Sequence, residues 1–147
     1  MTVIAHPDCP LCREDGGLLI ARHDRFRIIR AIGPDAAACP AFYRVVWNDH
    51  VAEFSDLAEA DQLLCLRAVS AVERVLREQL QPTKVNLAAL GNMVPHLHWH
   101  VIARYDWDSR WPAPIWAAPQ RADNEARLAV LSERLAGCDA AIAAHAF

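Results

Sequence analysis

Three histidines alternate with large apolar residues in the segment 96–102, and this pattern constrains the fold more than any other part of the chain. The segment is His-Leu-His-Trp-His-Val-Ile. Successive side chains of a β-strand point to opposite faces, so a strand here places His96, His98 and His100 on one face. The apolar side chains between them point to the other face, where a core can bury them. The pattern therefore predicts a sheet with one covered apolar face and one imidazole face.

Other segments supply the rest of a small α+β domain. Short runs rich in apolar, β-branched and aromatic residues predict five strands: 18–22, 26–32, 43–48, 85–90 and 97–104. The first two form a hairpin, and the last two form another through a tight Gly91-Asn92 turn. The segment 106–119 holds three Trp and three Pro and is predicted to be irregular.

Two longer segments, 58–79 and 122–144, predict helices. In the first, apolar residues recur every three or four positions and define one buried face: Leu63, Leu66, Val69, Val72, Val75 and Leu76. We therefore expect an antiparallel sheet of about five strands with two helices packed against it. A single domain covers 1–147, with a core at about 8–104 and the irregular segment and last helix in 105–147.

The composition excludes several classes of protein. The 147 residues are 54% hydrophobic and carry a net charge of −3, which is typical of a globular domain and argues against a nucleic-acid polymer as partner. No run approaches the roughly 20 apolar residues of a membrane span. The first residues lack the basic and apolar regions of a secretory signal, and five cysteines are an odd number. We therefore expect a cytoplasmic protein without a disulfide framework and without a membrane partner.

The histidine strand admits three interpretations: a solvated strand face, a three-histidine zinc site with water as fourth ligand, or a site of imidazole catalysis. Histidine titrates near neutrality, so it can attack phosphorus, carry a phosphoryl group and relay protons. Strict alternation of three imidazoles favours the catalytic interpretation.

Cys9 and Cys12 form a Cys-Pro-Leu-Cys pair near the start of the chain. Two thiols at this spacing can grip zinc, form a redox pair, or be two ordinary thiols in a turn. The pair alone leaves all three interpretations open.

The segment 96–102 matches at every position the signature His-φ-His-φ-His-φ-φ, where φ is apolar, and here the chain resembles the histidine triad (HIT) family of nucleotide hydrolases and transferases. Over roughly residues 8–104 the resemblance includes Cys9-x-x-Cys12, a strand leading to His50, and Asn86 before the triad. Beyond Tyr105 it is limited to a bacterial branch, through Trp-Pro-Ala-Pro-Ile-Trp at 111–116. The resemblance implies a HIT-like fold and a homodimer.

The resemblance also implies a reaction. Family members cleave a nucleotide at its α-phosphate through a covalent nucleotidyl-histidine, with a nucleoside phosphoramidate or dinucleoside polyphosphate as substrate. His98 would be the nucleophile, His100 would bind the phosphate or the leaving group, and His96 and His50 would form an outer polar layer. A nucleophilic imidazole needs its other nitrogen to donate to a fixed acceptor, and in a strand the nearest candidate is a backbone carbonyl. No metal is required for such catalysis.

Further contacts follow from the same resemblance. The expected nucleotide-binding residues are Asn86, Asn92, Met93, Phe26 and Asp35. Met93 stands where many members have a serine that donates a hydrogen bond, and Asp35 is the nearest match to the acidic residue that holds the ribose. Phe26 is either a wall of the base pocket or a core aromatic. Backbone amides near Gly91 and Asn92 are candidate donors to the phosphate.

A structural zinc site is also implied, because some members bind zinc through two such cysteines and the two outer histidines. Its ligands here would be Cys9, Cys12, His50 and His96. Two functions other than the HIT-type reaction remain as alternatives. They are a nucleotide-binding sensor or scaffold with vestigial catalysis, and a zinc-dependent hydrolase.

Overall fold

The computed structural model describes residues 3–147, so Met1 and Thr2 of the predicted 1–147 domain lie outside the described residues. Its centre is one antiparallel sheet with the spatial order β1-β2-β3-β5-β4. The strands are β1 (Leu18–Arg22), β2 (Phe26–Arg30), β3 (Phe42–Trp47), β4 (Lys84–Ala88) and β5 (His98–Arg104). The predicted α+β class and the five strands are confirmed. The histidine strand β5 lies between β3 and β4, where it is fixed on both edges.

Two long helices and one short helix accompany the sheet. They are α1 (Pro10–Arg13), α2 (Glu59–Leu80) and α3 (Glu125–Ala143), and single 3-10 turns occur at Pro34–Ala36 and Phe54–Asp56. The two predicted helices are confirmed, and α1 is an additional element that carries the Cys-Pro-Leu-Cys segment. No helix among residues 3–147 has both the length and the hydropathy needed to cross a membrane.

The two long helices cover one face of the sheet. The core there joins the odd-numbered residues of β3 and β5 to residues of α2 and α3, including Tyr43, Val45, Trp47, Val101, Ala103, Val72, Leu76, Leu135 and Ile142. The even-numbered residues of β3 and β5 point to the opposite face. That face carries the histidines and is not covered by α2 or α3.

The buried face of α2 differs from the predicted one. Leu63 and Leu66 are 51% and 43% exposed, whereas the buried positions are Cys65, Ala68, Val69, Ala71, Val72, Leu76 and Leu80. One residue turns the helix by about 100°, so Leu66 points well away from Cys65, which faces the sheet. The apolar periodicity contained two stripes, and only one of them packs on the sheet.

The connection between β4 and β5 is longer than predicted. The two strands pair in antiparallel fashion, but the nine residues 89–97 separate them. The prediction of a two-residue turn at Gly91-Asn92 is therefore wrong. Leu97 is held elsewhere, because its N–H donates to Val51 and its carbonyl accepts from the Trp47 N–H. These bonds pull the chain before β5 toward the end of β3. The loop 89–97 forms one wall of the site.

Candidate active site

The two histidines of β5, His98 and His100, lie side by side on the uncovered face of the sheet. Their ring centroids are 4.9 Å apart and the rings are nearly perpendicular. Across β3, His98 is paired with Val46 and His100 with Arg44. His96 lies two residues before the strand and is fully buried. The alternating sequence thus places two imidazoles in the site and the third beneath it.

His98 is oriented by the backbone of its own strand. Its Nδ1 lies 2.6 Å from the carbonyl oxygen of His96. A carbonyl oxygen only accepts, so Nδ1 carries the proton and Nε2 keeps a free lone pair. Burial lowers the pKa of His98 and the charge of Arg44 lowers it further, against the opposing effect of the carbonyl. The neutral imidazole therefore presents an unprotonated Nε2, as a nucleophile requires.

His100 is almost completely enclosed, at 4% exposure. Its Nδ1 is buried and has no hydrogen-bond partner among the described residues. Burial lowers the pKa of His100 to about 3, with His98 and Arg44 adding to the effect. Buried polar atoms are nearly always paired, so a water molecule or a ligand group is the expected partner of this nitrogen.

A cavity of about 940 Å³ opens over these two histidines. Its walls come from β3, the loop 89–97, the turn after β2 and the segment 110–116. Of the predicted nucleotide contacts, Asp35, Asn92 and Met93 line it. Trp116 closes one side, with its ring 5.1 Å from that of His100. The size is ample for a nucleotide, since small-molecule sites span roughly 300–1,000 Å³.

Two predicted contacts lie elsewhere. Phe26 is in the core on the helix side of the sheet, stacked on His23 at 4.6 Å, so it is a core aromatic and not a wall of the base pocket. Alternation along β2 places it with Ile28 rather than toward the cavity. Asn86 does not line the cavity, and its side-chain oxygen accepts from Arg104 at 2.8 Å.

Beneath the cavity, Cys9, Cys12, His50 and His96 converge. Their donor atoms all lie within 4.8 Å of one another. His96 Nδ1 is 3.4 Å from the Cys9 sulfur, and His50 Nδ1 is 3.4 Å from the Cys12 sulfur. A tetrahedral zinc ion with sulfur and nitrogen ligands separates its donors by about 3.3–3.8 Å, so this set fits zinc.

The hydrogen bonding of His96 suits the same role. Its Nε2 lies 2.6 Å from the carbonyl oxygen of Trp47, which fixes the proton on Nε2 and leaves Nδ1 free to face the thiols. In residues 3–147, no other group of three or more His, Cys, Asp or Glu side chains is gathered closely enough to share a metal ion. The three-histidine zinc site, one of the sequence-based alternatives, is therefore not formed.

Sequence reasoning missed two cations on the cavity wall, Arg44 and Arg110. The Nε atoms of both are buried without a partner among the described residues. Arg44 had a signal, because it is the lone charge within the apolar run Phe-Tyr-Arg-Val-Val-Trp. Arg110 had none, because its position depends on the path of an irregular segment.

Comparisons with known proteins agree with the fold and the motif. The family model described as HIT domain matches residues 14–107. A histidine triad protein from Bradyrhizobium japonicum is 29% identical, with 83% of this chain and 90% of that chain covered and a TM-score of 0.63. One from Marinobacter aquaeolei VT8 is 26% identical over 88% and 93% of the two chains, with a TM-score of 0.67.

A Zn-bound histidine triad family protein from Mycobacterium smegmatis has the same fold, at 21% identity and a TM-score of 0.57 over 91% of this chain and 97% of that one. No curated protein gives a significant match. The family model covers well over half of the sequence and includes β1 to β5. The chain therefore belongs to the HIT family.

Proposed function

We propose that the protein is a nucleotide hydrolase or nucleotidyl transferase that acts at the α-phosphate of its substrate through a covalent nucleotidyl-His98 intermediate. Family membership supports a nucleotide-processing function in general. The observation that carries the finer proposal is the 2.6 Å contact of His98 Nδ1 with the His96 carbonyl. It leaves Nε2 unprotonated in a cavity of nucleotide size.

The reaction proceeds in two displacements. His98 Nε2 forms a bond to the α-phosphorus, and the bond from phosphorus to the leaving group breaks, with its electron pair departing on the leaving atom. Water then attacks phosphorus and releases a proton to the solvent, and the N–P bond breaks with its electron pair returning to Nε2, which restores the neutral imidazole. Splitting hydrolysis in this way replaces one difficult attack by two easier ones.

The neighbouring groups stabilise the charge on phosphorus. His100, which lines the cavity beside His98, would donate a hydrogen bond to a phosphate oxygen or to the leaving group. Backbone amides of the loop at Gly91 and Asn92, which line the cavity, are further donors. Asp35 also lines the cavity, and in this proposal its carboxylate accepts hydrogen bonds from the ribose hydroxyls.

A structural zinc ion is part of the proposal. Zinc bound to Cys9, Cys12, His50 and His96 would stabilise the fold beneath the site and supply no step of the reaction. The Zn-bound relative from Mycobacterium smegmatis supports this assignment. His96 connects the two sites, because its carbonyl accepts a hydrogen bond from His98 Nδ1 and its ring faces the thiols.

Replacing His98 tests the catalytic proposal. The His98→Ala variant should lose at least about 1,000-fold in kcat with adenosine 5′-phosphoramidate and with diadenosine tetraphosphate, because the nucleophile is gone. His145→Ala, at an exposed histidine outside the cavity, is the matched control and should keep wild-type activity. A wild-type turnover rate in the His98→Ala variant would show that His98 is not the nucleophile.

A nucleotide-binding sensor is the second candidate, and Met93 favours it. This side chain is 93% exposed at the cavity and cannot donate the hydrogen bond that the family's serine supplies. A sensor would bind nucleotides tightly and release no product over hours. Steady turnover of either substrate by the wild-type protein excludes it.

A further inference from the structure

One buried arginine, Arg27 of β2, is bound mainly by backbone carbonyl groups. It is 5% exposed. Its Nη2 donates to the carbonyl oxygens of Leu11 at 2.7 Å and Glu14 at 3.0 Å, and its Nε donates to that of Asp15 at 3.1 Å. The Asp15 carboxylate is farther away, at 3.9 Å from Nε. Burying a cation is unfavourable unless polar groups replace water, and here three carbonyls do so.

The three carbonyls belong to the segment that carries the paired cysteines. The helix α1 spans Pro10–Arg13, with Cys9 at its N-cap and Cys12 inside it. A helix of four residues is not stable by itself, and the carbonyls of its last turn have no partner within the helix. Arg27 supplies partners for this end of the segment from the sheet. The guanidinium therefore fastens α1 to β2.

The same arginine also adjoins the chain that leads to the metal-site histidines. Arg27 pairs with Val46 across β2 and β3, and Val46 pairs with His98 on β5. Its Nη1 lies 3.5 Å from the side-chain oxygen of Asn48, which precedes His50 by two residues. The guanidinium thus lies between the segment that carries the two thiols and the strand that leads to His50.

The position of the thiols depends on α1 staying on the sheet. The Cys12 N–H donates to the Cys9 carbonyl at 3.1 Å, so the two cysteines move as one turn of chain. Leu11, between them, lies in a buried cluster with Ile29 of β2. Leu11 is therefore held twice, through its side chain by the sheet and through its carbonyl by Arg27.

We propose that Arg27 is a positioning residue for the metal site, because its guanidinium orders the Cys-Pro-Leu-Cys segment before zinc binds. This inference rests on the structural zinc site of the proposed function and assigns a role to a residue that is not a ligand. Ordering a segment of chain has an entropic cost. When the bonds to Arg27 order the segment during folding, metal binding does not have to do so.

The zinc affinity of the folded protein tests this role. Competition with a chromophoric zinc chelator compares the full-length wild-type protein, Arg27→Met and Arg27→Lys. We expect Arg27→Met to lose about tenfold or more in affinity, because outer partners of a metal site typically contribute about 10–100-fold. Arg27→Lys keeps the charge but has one nitrogen in place of the Nε and Nη2 donors, so it should lose about threefold or more.

Arg22→Gln is the matched control for these two variants. Arg22 pairs with Arg27 across β1 and β2, but its side chain is 62% exposed and binds the Asp15 carboxylate at 2.7 Å. An exposed ion pair contributes little to stability, so the zinc affinity of Arg22→Gln should match that of wild type. This control separates the carbonyl contacts of Arg27 from a general effect of removing a cation near the segment.

Alkylation of the zinc-free protein measures the order of α1 without any metal. Labelling with iodoacetamide, followed by peptide mapping, gives a rate for each cysteine. Cys9 is buried against the sheet, so in both Arg27 variants it should react about tenfold or more faster than in wild type. Cys65 and Cys138 lie in the core on the opposite face, and their unchanged slow reaction would show that the domain is folded.

Three results would overturn the proposal. Wild-type zinc affinity in either folded Arg27 variant would remove the role of Arg27 and leave the zinc site in place. Equal acceleration at Cys9, Cys65 and Cys138 would show that Arg27 acts only through the stability of the whole domain. If wild type bound no zinc, the proposed metal site would fail and the role of Arg27 with it, whereas the reaction proposed for His98 would be unaffected.

Discussion

Replacement of Asp108 by asparagine tests how the irregular segment is held against the sheet. Asp108 and Arg104 are 3% and 1% exposed, and the carboxylate accepts from the guanidinium at 2.8 and 3.0 Å. The same carboxylate accepts from the N–H groups of Arg110 at 2.9 Å and Tyr105 at 3.3 Å. Asparagine removes the charge and turns one acceptor into a donor that faces other donors.

The expected loss of stability is large. Breaking one partner of a buried ion pair destabilises a protein by about 3–5 kcal/mol, because the remaining charge is left uncompensated. That is a substantial part of the roughly 5–15 kcal/mol that stabilises an ordinary domain. At about 2–4 °C per kcal/mol for a domain of this size, Tm should fall by roughly 6–20 °C.

The effect should depend on pH. Burial by itself raises the pKa of Asp108, but the hydrogen bond and charge of Arg104 outweigh it, with the amides of Arg110 and Tyr105 helping, so the pKa lies below 3.8. A lowered native pKa means that the carboxylate's contribution is complete above the unfolded pKa and disappears as the pH falls through the native value. The difference between wild type and Asp108→Asn should therefore be constant above about pH 5 and shrink below about pH 4.

Urea unfolding at several pH values measures the loss in the free energy of unfolding and its dependence on pH. The matched control is Asp106→Asn, two residues away at an exposed side chain, which should change stability by less than about 0.5 kcal/mol. A loss below about 1 kcal/mol for Asp108→Asn at pH 7, or a difference from wild type that does not shrink in acid, would refute the reasoning.

Three further predictions concern the cluster of Cys9, Cys12, His50 and His96, the exposed leucines of α2, and the cavity rim at Met93. Protein purified without chelator should contain about one zinc ion per chain, and zinc well below one equivalent would contradict this. Removal of zinc by a chelator, or Cys12→Ser, should lower Tm by several degrees or more, because structural zinc contributes to the free energy of folding. Light scattering should give about twice the 16.4 kDa chain mass. The double variant Leu63→Glu, Leu66→Glu should shift the protein toward monomer, because these two exposed side chains form an apolar surface on α2. A monomeric wild-type protein would contradict the predicted dimer. Met93→Ser should raise kcat/KM with adenosine 5′-phosphoramidate by up to about tenfold, because the serine hydroxyl adds a hydrogen bond to the leaving group. Its Tm should not change, because residue 93 is exposed. An unchanged kcat/KM would show that the leaving group does not contact residue 93.

Local patterns in the sequence were sufficient for the strands and for the central histidines. Alternation over 96–102 predicted which residues face the core, and Val101 is in that core as expected. A backbone acceptor for the proposed nucleophile was also expected from local geometry, and the hydrogen bond from His98 Nδ1 to the His96 carbonyl has that form. These features depend on residues that are close in sequence.

The features that failed depend on contacts distant in sequence. Both faces of β2 are buried, so alternation could not show which face of the sheet receives Phe26. The Gly91-Asn92 signal predicts a tight turn locally, but the bonds of Leu97 to the chain around β3 override it. Arg44 reaches the site through the register of β3 on β5, which no local pattern contains.

The central claim is that His98 carries the nucleotidyl group, and mass spectrometry of the intact protein tests it most directly. Wild-type protein is mixed rapidly with diadenosine tetraphosphate, and the reaction is quenched by denaturation at neutral pH. The intact mass is then measured, and the modified residue is located by peptide mapping. The account predicts a mass increase of one adenylyl group, located on His98 and absent from His98→Ala. Turnover by wild type with no adduct at any time, or an adduct on another residue, would contradict it.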